Sequence, residues 1–348
     1  MADPAVPLTG RCGGITPPYV RRKNSGMDIQ QRAIACFKAL AIGDAIGKQS
    51  ENLTRRDVLH WYPQGIRGFH GLPGQIVPRY LGNSKHQWRV GETTDDTEQT
   101  IAVARAILRD RRVVHTSVGQ ELLGCRKSVH PGVKSLWTFK QMGDPNRIAI
   151  AGDGCGAAMR VAPVGILYSP RRFDDLVNGA YEASIPTHGG QLAVSAAAAV
   201  AVAVSVAING GSPEEVLAWS VRAAKVAEAL RPAHRSVTIA SAIQKVYDDL
   251  SHLKELDADD LANTHFPDKP ETKVPLAMSL ALITKSVEKT ILLAANIGGD
   301  ADSVASIGGA VAGALDPSTL NEEWFDVVKS INGDDLPELA SSILTLRT

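Results

Sequence analysis

Two acidic runs in this 348-residue chain hold more oxygen ligands than ordinary helix starts require. The first, TTDDTEQT from Thr93 to Thr100, sets Asp95 and Asp96 side by side between Thr94 and Thr97 and leads straight into the apolar-periodic IAVARAILRD. Capping accounts for one aspartate and the helix dipole accounts for Glu98, but neither asks for two adjacent carboxylates. The second run, GGDADSVASIGGAVAGA from Gly298 to Ala314, places Asp300, Asp302 and Ser303 ahead of Val304, Ile307, Val311 and Ala314, which recur at helical spacing. Alone, each run also reads as a cap preceded by an acidic loop. Together they complement one another, because magnesium takes near-octahedral oxygen coordination, which carboxylates and hydroxyls at two helix mouths supply. Gly308, Gly309 and Gly313 each cost about 1 kcal/mol against Ala in a helix interior. Close approach of a neighbouring helix backbone is the expected compensation, so this helix should be buried.

Other chemistry-bearing residues are more scattered. Asp44 lies between glycines in GDAIG, where Gly43 is also a candidate helix end, and Glu51 follows closely enough to share a loop with it. The stretch AGDGCGAAMRVAPVG, from Ala151 to Gly165, reads as a glycine-rich loop feeding a short helix. Gly154 and Gly156 there would let backbone approach a ligand. His188 follows Thr187 and precedes Gly189 and Gly190; it either orients a substrate or hydrogen-bonds a neighbouring loop. No HExxH or CxxC spacing occurs among the remaining histidines and cysteines.

These groups must be carried by helices. Ile29 to Leu40 gives the first, and the span from Glu51 to Glu92 reads as a long irregular loop region. Residues 115–150 are helical with interruptions, Phe173 to Ala183 forms another helix, and Ala193 to Ile208 is an alanine-rich apolar run. A bilayer span needs about 20 apolar residues, so this run is expected to be the central helix of a soluble bundle. Ser212-Pro213-Glu214-Glu215 is a capping-box start. Asp257 to Lys273 reads as a polar connection and Val274 to Ala295 as a helix, with Lys285, Glu288 and Lys289 on a solvated face. No run sustains strand alternation, and the expected fold is all-α. The 37 basic and 37 acidic residues cancel, and the Arg-Arg pairs are dispersed, so neither nucleic acid nor a membrane is an expected partner. Four cysteines without scaffold density fit a reduced, cytoplasmic protein, and the N-terminus shows no apolar signal segment. Residues 1–26 read as a Pro/Gly-rich arm, either a loose leader or a partner-binding segment built on Tyr19, Arg21 and Arg22, ahead of a helical domain over 27–348.

The set GDAIG with Glu51, TDDT, GAAMRVAP, Thr187-His188 and GGDADSVASIGGAVAGA closely resembles the ADP-ribosylglycohydrolases of the DraG type, in the family's order over residues 43–314. The resemblance implies an all-α fold with a dinuclear magnesium centre, sometimes occupied by manganese. Thr94, Asp95, Asp96, Asp300, Asp302 and Ser303 would then coordinate two Mg2+ ions, with Glu51 as the metal-proximal glutamate and Asp44 as a support. Ser303 stands for a frequent threonine and keeps the hydroxyl. Ala301 also stands for a frequent threonine, and Cys155 stands where asparagine is common in the glycine-rich loop.

The implied reaction cleaves a glycosidic bond to ribose, in which carboxylates stabilise oxocarbenium character and handle protons. Glu51, Asp96 and Asp302 are the candidates for that work. Gly154, Gly156 and His188 are candidate substrate contacts, and Trp88 or Tyr62 either stacks on adenine or packs under a loop. ADP-ribosylated protein is the implied substrate, with arginine the favoured linkage. The arm would suit contact with an ADP-ribosyltransferase in an immunity role. Two rivals are a metallohydrolase of free ADP-ribose derivatives and a noncatalytic binding protein, against which the desolvated carboxylates argue.

Overall fold

The structure is a computed structural model that describes residues 28–81 and 84–348. The proposed arm therefore lies outside the described residues. Helix α1 (Ile29–Gly47) starts at a capping box in which the Asp28 carboxylate accepts from Gln30 N and the Gln31 side chain accepts from Asp28 N. It is followed by α2 (Arg55–Trp61) and by a two-stranded antiparallel hairpin, β1 (Ile76–Leu81) and β2 (Ser84–Arg89). Then come α3 (Asp95–Asp110), α4 (His115–Gly124), α5 (Lys134–Met142), α6 (Gly156–Met159), α7 (Ala162–Leu167), α8 (Phe173–Ser184), α9 (Gln191–Ile208) and α10 (Pro213–Leu230). The chain closes with α11 (Ile239–Ser251), α12 (Ala258–Thr264), α13 (Pro270–Thr284), α14 (Val287–Ile297), α15 (Ala301–Leu315), α16 (Glu322–Asn332) and α17 (Leu336–Leu344).

The fold is all-α, with one hairpin as its minor addition. Every residue of α9 is buried, so its apolar composition serves the protein core. Beside it run α1 and α15, which pack antiparallel with their backbones in contact. A Cβ added at Gly43 would lie 2.1 Å from Ala305 O, and one at Gly47 would lie 2.4 Å from Ala301 O. From the other side, a Cβ at Gly309 would lie 2.6 Å from Ala39 O and one at Gly313 2.5 Å from Ala35 O. Two glycines from each helix thus form a seam; the expected compensation for Gly309 and Gly313 is their approach to α1, whereas Gly308 faces Ala277 of α13 and Thr290 of α14. The register delivers the C-terminal end of α1 to the N-terminal end of α15.

Several local expectations are corrected. Gly43 does not end the first helix: α1 continues through GDAIG to Gly47, so Asp44 is a helical residue and does not share a loop with Glu51. The region from Glu51 to Glu92, expected to be irregular, contains α2 and the hairpin. The helix expected over Val274 to Ala295 is two helices, separated where Lys285 takes the left-handed conformation at φ 52°, and α13 begins earlier, at Pro270. Within the expected polar connection lies α12.

Candidate metal centre and active site

Asp44 is fully buried, and its carboxylate is saturated by α3. It accepts from Thr94 N at 2.9 Å, from Thr97 N at 3.0 Å and from Thr97 Oγ1 at 2.6 Å. A carboxylate near the end of α1 therefore holds the first turn of α3, the positive end of its dipole, in place. Thr94 is the N-cap of α3 and its Oγ1 accepts from Asp96 N at 3.3 Å. Asp95 and Asp96 follow in the first turn. Asp95 Oδ2 accepts from Gln99 Nε2 at 3.0 Å, whereas Asp96 Oδ2 is buried without a hydrogen-bond partner.

Asp300 is the N-cap of α15, and Asp302 and Ser303 lie inside its first turn. The helix thus begins ahead of the Asp302–Val304 join that the sequence suggested. Asp302 Oδ1 accepts from Ser303 N at 3.0 Å. Asp300 makes no side-chain cap bond to its own helix; its Oδ2 pairs with Lys273 Nζ at 2.6 Å and accepts from Cys155 Sγ at 3.0 Å. Cys155 Sγ also lies 3.5 Å from Ser303 Oγ. Lys48, the residue after α1, contacts the Glu51 carboxylate and reaches Asp302 Oδ2 at 3.9 Å.

The structure therefore gathers carboxylates from α1, α3 and α15, and their charges oppose one another. Burial first, then the charges of Asp44, Asp302, Asp95 and Asp300, push the Asp96 carboxyl well above the usual range. Burial and then the Glu51 charge do the same to Asp302. Asp95 is pushed up to about 6, chiefly by burial. Burial also acts on Asp300, but the adjacent Lys273 ammonium overcomes it and holds that carboxyl below its ordinary value. Burial and the Asp300 charge push the Cys155 thiol well up.

This donor set suits a hard divalent cation: it consists of oxygen ligands at helix starts, with one buried carboxylate oxygen lacking any partner. Among the described residues, no three carboxylate, thiol or imidazole groups are already arranged to hold an ion. Lys48 and Lys273 engage carboxylates that ligation would use, and neither lysine is marked by the acidic motifs. Lys48 adjoins GDAIG, and Lys273 closes the stretch that reads as a connection.

His188 sits against the glycine-rich loop. A Cβ on Gly156 would lie 2.6 Å from His188 Cε1, and one on Gly154 would lie 3.4 Å from His188 Nε2, so both glycines give room to the imidazole. Gly189 N donates to Ala151 O at 3.0 Å and Gly190 N to Gly152 O at 3.1 Å, docking the loop on the residues after His188. His188 Nδ1 is 2.7 Å from Thr187 Oγ1. Burial, assisted by the Arg160 charge, lowers the histidine to about 3, leaving it neutral at pH 7.

Arg160 is the hub that sequence reading passed over. Fully buried, it donates to Gln99 Oε1 on α3 at 2.8 Å, to Thr187 Oγ1 at 2.8 Å and to the carbonyls of Ala183 and Ser184 at the end of α8. Its signal was a lone charge inside the apolar GAAMRVAP. Trp88 is buried on β2 with its Nε1 unpartnered, and Tyr62 is half-buried beside His70 in an edge contact at 4.6 Å.

The chain as a whole is similar to known proteins. The family model for ADP-ribosylglycohydrolase matches residues 25–348, and the chain belongs to that family. An uncharacterized protein of Archaeoglobus fulgidus is 29% identical over 326 residues, covering 89% of this chain and 95% of its own length. A Pseudomonas putida protein named ADP-ribosylarginine hydrolase Tri1 is 26% identical, covering 85% of this chain and 74% of its own. A solved structure titled ADP-ribosylglycohydrolase-related protein complex shares the fold, with a TM-score of 0.61 at 24% identity over 92% of this chain and 99% of that one.

Proposed function

We propose that this chain is a magnesium-dependent hydrolase that removes ADP-ribose from ADP-ribosylated protein side chains, with arginine the favoured linkage and manganese an alternative ion. The observation that carries the reading is the buried, unpartnered Asp96 Oδ2 beside the carboxylates of the first turn of α15. Uncompensated charge at that density calls for a cation. The membership in the ADP-ribosylglycohydrolase family supports the reaction, and the name of the Pseudomonas relative supports arginine.

A bound pair of divalent ions would be held by Thr94, Asp95, Asp96, Asp300, Asp302 and Ser303 and would supply orientation of ribose hydroxyls and a more acidic water. The chain's own groups do the rest. Glu51 is half-buried at the edge of the cluster, suited to exchanging a proton with solvent. Asp96 and Asp302, ionised once cations offset the burial and like charge that favour their neutral forms, would supply negative charge against the oxocarbenium character that develops on the ribose. Asp44 fixes α3 against α1 and touches no reacting atom. Neutral His188, seated by Gly154 and Gly156, can exchange hydrogen bonds with a ligand in the loop without placing a positive charge there.

In a cytoplasmic setting the reaction would reverse a regulatory modification or counter an ADP-ribosyltransferase toxin. Residues 1–26 would contact the transferase in the second role, and their deletion should then lower affinity for it. The primary test measures ADP-ribose release from an arginine-ADP-ribosylated protein with magnesium and with chelator. Release should require magnesium, and Asp302→Ala should slow it by about a hundredfold or more, the scale on which losing transition-state charge stabilisation acts. Full activity in a folded Asp302→Ala variant would refute the assignment. Release from free ADP-ribose derivatives alone would favour the small-molecule hydrolase instead.

A further inference from the structure

Lys273 occupies a place that its own helix disfavours. It lies four residues into α13, close to the positive end of the dipole, where an anion is preferred. Its side chain is only 18% exposed, and its Nζ lies 2.6 Å from Asp300 Oδ2. Desolvating such a pair is costly unless the partner geometry is good. Asp300 in turn forgoes a side-chain cap on α15 and accepts from Lys273 and Cys155 instead. Lys48 differs, because it follows the C-terminal end of α1, where the dipole favours a cation. Helix electrostatics favour Lys48 where it stands; they oppose Lys273, which is held instead by the anions of the centre, with Asp300 as its direct partner and Asp302 beyond it. Meanwhile Asp96 Oδ2 is left buried and unpartnered, so the lysines neutralise one part of the centre and not the other.

A cavity of about 260 Å³ adjoins the pair, lined by Asn52, Thr54, Phe266, Asp268, Lys273 and Asp300 among others. Asp268 is exposed there and offers a carboxylate away from the cluster. An ammonium leaving Asp300 has both space and a second anion within that cavity.

We propose that Lys273 is a tethered counter-cation that occupies the Asp300 side of the centre until a divalent ion displaces it, so that the chain's own lysine sets how tightly the ion is held. The proposal rests on the metal reading given above. Displacement exchanges one ionic contact for another, and the lysine remains an ammonium throughout.

The test titrates Mn2+ alone into the full chain without substrate, following free Mn2+ by electron paramagnetic resonance and the heat by calorimetry. Lys273→Met and Lys273→Gln should tighten the Mn2+ Kd by about tenfold or more, and Lys48→Met should change it less. The metal-free thermal midpoint of Lys273→Met should fall below that of the wild type and recover when Mn2+ is added. Lys273→Gln keeps a donor for Asp300 and serves where the methionine variant does not fold, as judged by circular dichroism. Unchanged or weaker Mn2+ affinity in folded Lys273→Gln overturns the role of the lysine and leaves the metal reading standing. Absence of Mn2+ binding in wild type and variants alike overturns both.

Discussion

Replacing Gly47 by alanine probes the seam that assembles the centre without touching a candidate ligand. The new Cβ would lie 2.4 Å from Ala301 O, 2.6 Å from Asp302 Cα and 2.7 Å from Ala301 C. Non-bonded carbon contacts settle near 3.5–4.0 Å, so the start of α15 must retreat from α1 by about 1 Å. Overpacking of that kind costs about 1–3 kcal/mol. A functional cost comes on top, since Asp302 rides on the displaced turn and a misplacement of about 1 Å can slow catalysis by about a hundredfold. The assay is the rate of ADP-ribose release at saturating substrate, paired with the thermal midpoint. Gly124→Ala is the control: a Cβ there meets nothing within 4 Å at the end of α4, so it should be neutral or stabilising by up to about 1 kcal/mol. A Gly47→Ala protein with wild-type rate and midpoint would show that the antiparallel register does not place Asp302, and the reasoning would fail.

Asp44→Asn keeps the shape of the side chain, and its amide oxygen can take the Oδ2 place that accepts from Thr97, but its NH2 then faces the Thr94 N–H and the charge behind these bonds is gone, so chemical denaturation should show a loss of about 1–3 kcal/mol. A loss under 0.5 kcal/mol, on the order of ordinary surface changes, would contradict the anchoring role. His188 titrates near 3 when folded against an ordinary 6.5, so the unfolded chain binds the extra proton between those values. The His188 contribution is complete above 6.5 and is lost as pH falls toward 3. Wild type should lose up to about 1.4 kcal/mol per pH unit relative to His188→Gln across that window, measured by denaturant midpoints; parallel pH profiles would rule it out.

The motifs that carry the candidate ligands stand out in the sequence because their chemistry is local. TDDT and DADS each contain more oxygen ligands than a cap uses, and the structure brings both runs to helix starts beside Asp44. The boundaries around them were less legible, for a reason the seam supplies. Gly43 looks like a helix terminator when read alone, yet its missing Cβ is what allows Ala305 O to approach, so the same atom that weakens the helix locally is required by its neighbour. The hairpin escaped because two short strands show too little alternation to be separated from turn residues.

The two lysines and Arg160 mark the deeper limit. A carboxylate cluster announces itself by spacing, but the cation that neutralises it comes from wherever the fold brings one. Lys48 follows α1, whereas Lys273 comes from α13, and both engage carboxylates at the centre. Arg160 likewise joins α3, the end of α8 and the Thr187-His188 turn from inside an apolar motif where its charge looks out of place. Buried positive charge in this protein is therefore the complement of a pattern written in anions and carbonyls elsewhere in the chain. Its partners follow from the packing of helices, and the α1–α15 register sets where the first turn of α15, with Asp300 and Asp302, meets them.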